Sequence, residues 1–414
     1  MGRKKRNGND PRRAKGIPGR LRAERERKEI EAKAQQLRAA VARIRSFHAA
    51  QQAADSQPSA IEGVSAAAIF QKLRRLAVHN RGFVSDTFRQ EIWPFLVGYG
   101  GFEPLEVHDP GHFAARTGPH RDDYQVEKDI ERSLWHYDIV KGIRESDRRA
   151  KRRALTQIIN AVLRGNDELH YYQGYHDVSS VFLLALGDQR AFCALERVSS
   201  SYHREAMGTG FETVMQVTRL LFPLVDAEDS ALFAYMCQSG VEPFFALPWM
   251  ITWFAHQLQR FEDVTRLYDV FLVSHPLFCL YVSAALILEA RVRILKCDCD
   301  FGTMHSLLSK LPQTMDVEKV IARATMLIHT ISPAQLLQLS DADPSLAKST
   351  YFNCPYAYQE RFDMAKPYVT LPVVTKNLSR QNKMTKTSIL VRAAAVGIFA
   401  AALSYAYRNR IQPV

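Results

Sequence analysis

From about residue 61 to residue 340 the apolar residues recur at helical spacing, and no stretch alternates apolar with polar long enough to ask for a sheet. Ala68, Phe70, Leu73, Leu76 and Ala77 make one such stripe, and Ile92, Phe95 and Leu96 belong to the next. Val181 to Leu186 is apolar on every side, which predicts a central helix. The runs Phe244–Phe254 and Val270–Leu288 read the same way. Pro248 interrupts the first, which is also too short for a membrane span, so it is assigned to the core. The expected fold class is all-α, with one large helical domain.

The charge sits outside that body. The chain carries +12 over 414 residues, and residues 1–48 alone hold sixteen Lys/Arg against five Asp/Glu, a net +11. Basicity confined to a leader argues against a nucleic-acid-binding body. Residues 1–20, rich in Gly, Pro, Asn and basic residues, are expected to be disordered. Leu21–Ala54 is composed of helix formers, with a thin apolar face of Leu37, Val41 and Ile44, and predicts an exposed single helix or a weak partner helix. The leader, 1–58, ends in a linker at Ser56-Gln57-Pro58-Ser59. Its binding to anionic lipid is one expectation, and its removal is expected to leave the helical domain's activity in place.

The helical domain is placed at 59–345, followed by a polar tether at 346–388. Ala393–Tyr407 is uncharged, and with Ile389, Leu390 and Val391 added and Arg392 snorkelling back along the helix it spans roughly 28 Å at 1.5 Å per residue. Residues 389–407 are therefore expected to be a C-terminal transmembrane helix, with 408–414 as a short lumenal tail and the domain held in the cytosol. No apolar signal segment follows the basic start. The six cysteines are sparse, and Cys297 and Cys299 lack zinc spacing, so no metal site is expected.

Two clusters place polar residues where a helical core has no need of them. Val126, Ile130, Leu134 and Tyr137 are spaced as the buried stripe of one helix, with Asp129 and Arg132 three residues apart on its flank. A carboxylate that fixes an arginine without burying it is what a presented arginine requires. An isolated pair of this kind is more often a surface salt bridge, worth under about 1 kcal/mol. The second cluster, Tyr171 to Asp177, predicts an aromatic loop before a helix. Gln173 precedes Gly174, where a ligand can approach closely, and Asp177 is placed to cap the helix. His120, His136, His170 and His176 form no ligand pattern and read as loop and surface histidines. A helix-borne arginine and a loop-borne glutamine match the two groups that GTP hydrolysis needs when supplied in trans: a cation for the phosphoryl charge and an amide for the water.

Val126-Glu127-Lys128-Asp129-Ile130-Glu131-Arg132 resembles the Ile-x-x-Asp-x-x-Arg motif of the TBC-domain Rab GTPase-activating proteins, and Tyr171-Tyr172-Gln173-Gly174 matches their Tyr-x-Gln-Gly motif. Arg89 to Pro94 resembles the family's opening Arg-x-x-Val-Trp-Pro helix, and Gly240 to Trp249 its third block. Pro248 stands where most members carry an arginine, a departure shared with one branch. The resemblance covers residues 62 to 340. It implies a GTPase activator with Arg132 and Gln173 as catalytic groups, supported by Asp129, Tyr171, Gly174 and Asp177. It further implies a Rab GTPase in the GTP form as partner, holding the GTP and Mg²⁺, with no cofactor of the chain's own. The branch is tail-anchored in the endoplasmic reticulum and acts on the Rab-one class of early secretory traffic. The alternatives are an inactive Rab-binding scaffold and a membrane tether, and the presence of both Arg132 and Gln173 argues against the former.

Overall fold

The computed structural model describes residues 16–54, 66–98, 120–134 and 136–353, and every regular element among them is helical. The expected tether and anchor fall almost wholly outside the described residues, as do the linker at 56–59 and residues 1–15. Among the described residues no helix is long and apolar enough to cross a membrane.

Helix α1 spans Gly16–Ala54, α2 Ala66–Val78, α3 Asp86–Leu96 and α4 Asp123–Glu131. Then follow α5 (Glu145–Gly165), α6 (Tyr175–Leu186), α7 (Asp188–Ser200), α8 (Glu212–Arg219), α9 (Leu221–Glu228) and α10 (Ser230–Gln238). A 3-10 turn at Pro243–Ala246 leads into α11 (Leu247–Thr252), followed by α12 (Phe261–Phe271), α13 (Phe278–Glu289) and α14 (Arg291–Leu295). The last are α15 (Phe301–Ser309), α16 (Val317–Thr330) and α17 (Pro333–Leu339).

The two helices apolar on every side are the interior ones. In α13 all residues from Phe278 to Leu288 are buried, and the helix packs along α16. In α6 all but Leu184 are buried, between α7, α5 and α3. Each such large apolar side chain contributes roughly 1.5–3 kcal/mol on burial. The Val270–Leu288 run is two helices, broken where His275-Pro276 prevents α12 from continuing. Phe244–Phe254 lies in the core as expected, with Phe245, Trp249, Met250, Trp253 and Phe254 all buried.

Two expectations need correction. The thin face of the leader is docked: Leu37, Ala40, Val41, Ile44 and Phe47 are buried as α1 packs on α2 and α3. Ala34 and Ala40 complete that face, and their small side chains let the helices approach closely. Lys33 is buried beside them, and its ammonium donates to the carbonyls of Leu76 (2.7 Å), Asn80 (3.1 Å) and His79 (3.3 Å). These acceptors lie at and just past the C-terminus of α2, where a cation is favoured. Removing α1 would expose the apolar face that it covers and take that cation away.

The stripe Val126–Tyr137 is also not one helix. All four of its apolar residues are buried, but α4 ends at Glu131 and Leu134 sits at φ +63°. A sharp bend tucks Leu134 and Tyr137 under the domain and leaves Arg132 at the corner.

Candidate functional site

Helix α4 ends where Arg132 begins. Asp123 lies in its first turn, Val126 and Ile130 face the core, and Arg132 is the C-cap, its backbone N–H returning to Asp129 O. The guanidinium folds back over the last turn: Nη2 donates to Asp129 Oδ1 at 2.7 Å and Nε to Lys128 O at 3.3 Å. The Asp129 side chain is 1% exposed and that of Arg132 37%. The carboxylate is thus a buried anchor and the arginine a presented group, with the carbonyl end of the helix favouring its charge.

The second element is the turn before α6. It is tied to α4 by Tyr171 N–H, which donates to Asp122 Oδ2 at 2.9 Å, and by Arg121, which donates to the carbonyls of Asp167 (2.8 Å) and Leu169 (2.7 Å). Tyr171 Oη donates to Asp129 Oδ2 at 2.9 Å. The two oxygens of Asp129 therefore serve the two elements, one holding Arg132 and the other the turn. Tyr172 points inward and donates to Ile251 O at 2.6 Å. Gln173 lies at the exposed tip.

Gly174 is needed twice over. Its φ is +112°, and a Cβ there would lie 2.9 Å from Thr252 Cγ2. Thr252 closes α11, after which Trp253 and Phe254 adopt left-handed backbone at φ +48° and +64°. Such conformations cost roughly 1–3 kcal/mol each for non-glycine residues. Burial of both rings offsets that cost, with Trp253 packed among Tyr202, His203, Tyr268 and Phe271.

Asp177 does not cap α6. The helix begins at Tyr175 with Gly174 as its N-cap, and the buried Asp177 carboxylate instead accepts from His256 Nδ1 at 2.8 Å, with His176 Nε2 at 3.4 Å. Burial pushes this carboxyl up, but the imidazoles of His176 and His256 outweigh it and hold Asp177 well below the usual carboxylate range. Burial, then the charge of Asp129, raises the Tyr171 phenol well above its ordinary value, so it stays a donor. His176, expected at the surface, is buried between the two carboxylates. Its signal was the Tyr-x-x-x-His-Asp run entering a wholly apolar helix, where polar residues at the first turn must find buried partners.

Other motif residues are structural. Arg89 is buried and makes a fork to Asp269, with Nε–Oδ1 and Nη2–Oδ2 both 3.0 Å. Trp93 Nε1 and Phe83 N–H donate to the same carboxylate at 2.8 and 2.9 Å. Asp269 was missed because it lies 180 residues from Arg89. Its signal was a lone carboxylate inside the apolar run Leu267-Tyr268-Asp269-Val270-Phe271. In the Cys297–Asp300 segment, Asp300 caps α15 through Thr303 N–H at 3.0 Å. Among the described residues no group of three or more His, Cys, Asp or Glu could hold a metal ion.

The family model for the Rab-GTPase-TBC domain matches residues 86–295. The chain is 33% identical over 361 residues to TBC1 domain family member 20 of Bos taurus, covering 82% of this chain and 87% of that one. It is 29% identical to the GTPase-activating protein gyp10 of Schizosaccharomyces pombe, over 63% and 68% of the two chains. Among solved structures, the Ypt/Rab-GAP domain of Gyp1p superimposes with a TM-score of 0.51 at 18% identity, covering 69% of this chain and 98% of that domain. That last likeness is one of fold.

Proposed function

This chain belongs to the Rab-GTPase-TBC domain family, and on that premise we propose that it accelerates GTP hydrolysis by a Rab GTPase through two side chains supplied in trans, Arg132 and Gln173. The observation that carries the proposal is the shared carboxylate. Asp129 is buried, and through its two oxygens it holds both the arginine and the turn bearing the exposed glutamine.

In this reading the Rab holds GTP and Mg²⁺ in its own site. Arg132 reaches that site and stabilises the charge that develops on the transferring phosphoryl oxygens. Gln173, at the tip of its glycine-backed turn, orients the attacking water. An arginine supplied in trans accounts for about 10³–10⁵ in rate, or roughly 4–7 kcal/mol of barrier. The Rab is of the class acting in early secretory traffic. The run 389–407, uncharged but for Arg392 near its start, anchors the chain by its tail in the endoplasmic reticulum with the helical domain in the cytosol, as the length and composition of that run support.

The test is single-turnover GTP hydrolysis by a panel of purified Rabs with catalytic amounts of the chain in detergent micelles. A large acceleration of one or two Rabs, lost in Gln173→Ala, is the expected result. A folded chain that binds a Rab in its GTP form and accelerates none would make it a scaffold.

A further inference from the structure

Two histidines of the domain meet a tyrosine in the same way and differ at the other ring nitrogen. His203 Nδ1 lies 3.1 Å from Tyr172 Oη, whose proton goes to Ile251 O. The tyrosine oxygen must therefore accept from His203 Nδ1–H. The Nε2 of His203 is buried with no hydrogen-bond partner among the described residues, and burial pushes this imidazole down to about 3. It is a neutral packing histidine.

His176 Nδ1 lies 2.9 Å from Tyr171 Oη. A phenol has one proton and a carboxylate only accepts, so the Tyr171 proton goes to Asp129 Oδ2. Tyr171 Oη must then accept from His176 Nδ1–H. The other ring nitrogen, Nε2, faces Asp177 Oδ1 at 3.4 Å, and Asp129 Oδ2 lies 3.8 Å from Nδ1. The hydrogen bonds thus run from Arg132 through Asp129 and Tyr171 to His176, with the Asp177–His256 pair beyond at ion-pair distance from the ring.

We propose that His176 is a positioning residue, whose Nδ1–H donates to Tyr171 Oη and keeps the Tyr171 proton on the carboxylate behind Arg132, so holding the arginine and the glutamine turn in one register. The inference rests on the reading that Arg132 and Gln173 act on a GTPase. The groups that face this ring are Asp129 from α4, Tyr171 from the turn, Asp177 from its own helix, His136 from the segment after α4 and His256 from the segment after α11. The far end of the series is fixed to the same bracket that backs Gly174, because His256 N–H lies 3.5 Å from Thr252 Oγ1. Loss of this donor would leave Tyr171 Oη without its second partner and loosen the turn that Tyr171 shares with Gln173.

The experiment compares the full chain in micelles with His176→Phe, His176→Asn and Arg132→Ala, using the responding Rab loaded with GTP. It measures kcat and KM from pH 6 to 9, each rate divided by the unassisted rate of that Rab. His176→Phe keeps the ring and removes both donors. Its kcat is expected to fall roughly 10- to 100-fold, as for a small misplacement of a reacting group, with KM within about twofold of wild type. His176→Asn retains a donor for Tyr171 and is expected to recover about tenfold of that loss. Wild-type kcat in a folded His176→Phe beside an inactive Arg132→Ala would overturn the inference and leave the function intact. A His176→Asn variant no more active than His176→Phe would overturn the donor role, and if the Phe variant does not fold, wild-type kcat in a folded His176→Leu overturns the inference in its place. Full activity in Arg132→Ala would overturn both the inference and the reading beneath it.

Discussion

Two of the domain's Arg–Asp pairs meet different fates. Arg89 and Asp269 are 5% and 0% exposed, and their fork is closed further by Asp86, Trp93 and the Phe83 backbone. The other pair buries only its acid, since Asp129 is 1% exposed and Arg132 37%. In the first pair the guanidinium is consumed by the core and fastens α3 to α12. In the second the carboxylate is consumed, by Arg132 on one oxygen and Tyr171 on the other, while the guanidinium stays within reach of a partner. What an arginine can do is set by which end of its ion pair the fold buries.

The comparison breaks first at Arg132. Arg132→Ala should remove the roughly 4–7 kcal/mol that a trans arginine contributes, a loss of about 10³-fold or more in Rab-stimulated hydrolysis, with a stability loss smaller than that of the buried pair because Tyr171 still donates to the Asp129 carboxylate left behind. The reverse holds for the buried pair. Asp269→Ala strands the Arg89 charge in the core and should cost about 3–5 kcal/mol in denaturant unfolding, as truncating one partner of a buried ion pair does. Equal stability losses in the two variants would erase the distinction.

Gly174→Ala is the next in size. A side chain at φ +112° against Thr252 should cost roughly 1–3 kcal/mol of stability and lower kcat more than KM, because the strain falls on the turn bearing Gln173. Adding Thr252→Ser removes the Cγ2 contact and should return part of the loss, leaving the backbone component.

The last comparison concerns acid. Burial lowers His203 and His275 to about 3 in the folded chain, below the unfolded value near 6.5. As pH falls below about 6.5 the unfolded chain binds these protons and the folded chain does not, so stability is lost down to about pH 3. Each histidine contributes a slope of about 1.4 kcal/mol per pH unit in that window. His203→Gln should reduce the slope by one proton, and an unchanged slope would mean that His203 is already charged in the fold.

The all-helical class and the Asp129–Arg132 and Tyr171–Gly174 clusters were legible because their signals are local. An i, i+3 pair and a glycine at a turn can be read from a few adjacent letters. Three features were not legible, each for lack of a local signal. The Arg89–Asp269 fork joins residues 180 apart. The docking of α1 depends on alanines that carry little hydrophobic weight but permit close contact, and on Lys33 finding carbonyls more than forty residues away. The bend after Glu131 needs a leucine at positive φ, which no propensity suggests, and apolar spacing alone made it look like continued helix.

The most direct measurement is binding of the chain to the responding Rab loaded with GDP and aluminium fluoride, a stand-in for the transferring phosphoryl group, beside binding to the same Rab in its GTP form. If Arg132 acts on the phosphoryl charge, Arg132→Ala should weaken the fluoride complex by about 100-fold or more, in line with a group that acts mainly in the transition state, and leave the GTP-form complex near wild type. Equal affinity of wild type and Arg132→Ala for both forms would make that arginine a surface ion pair and contradict the account.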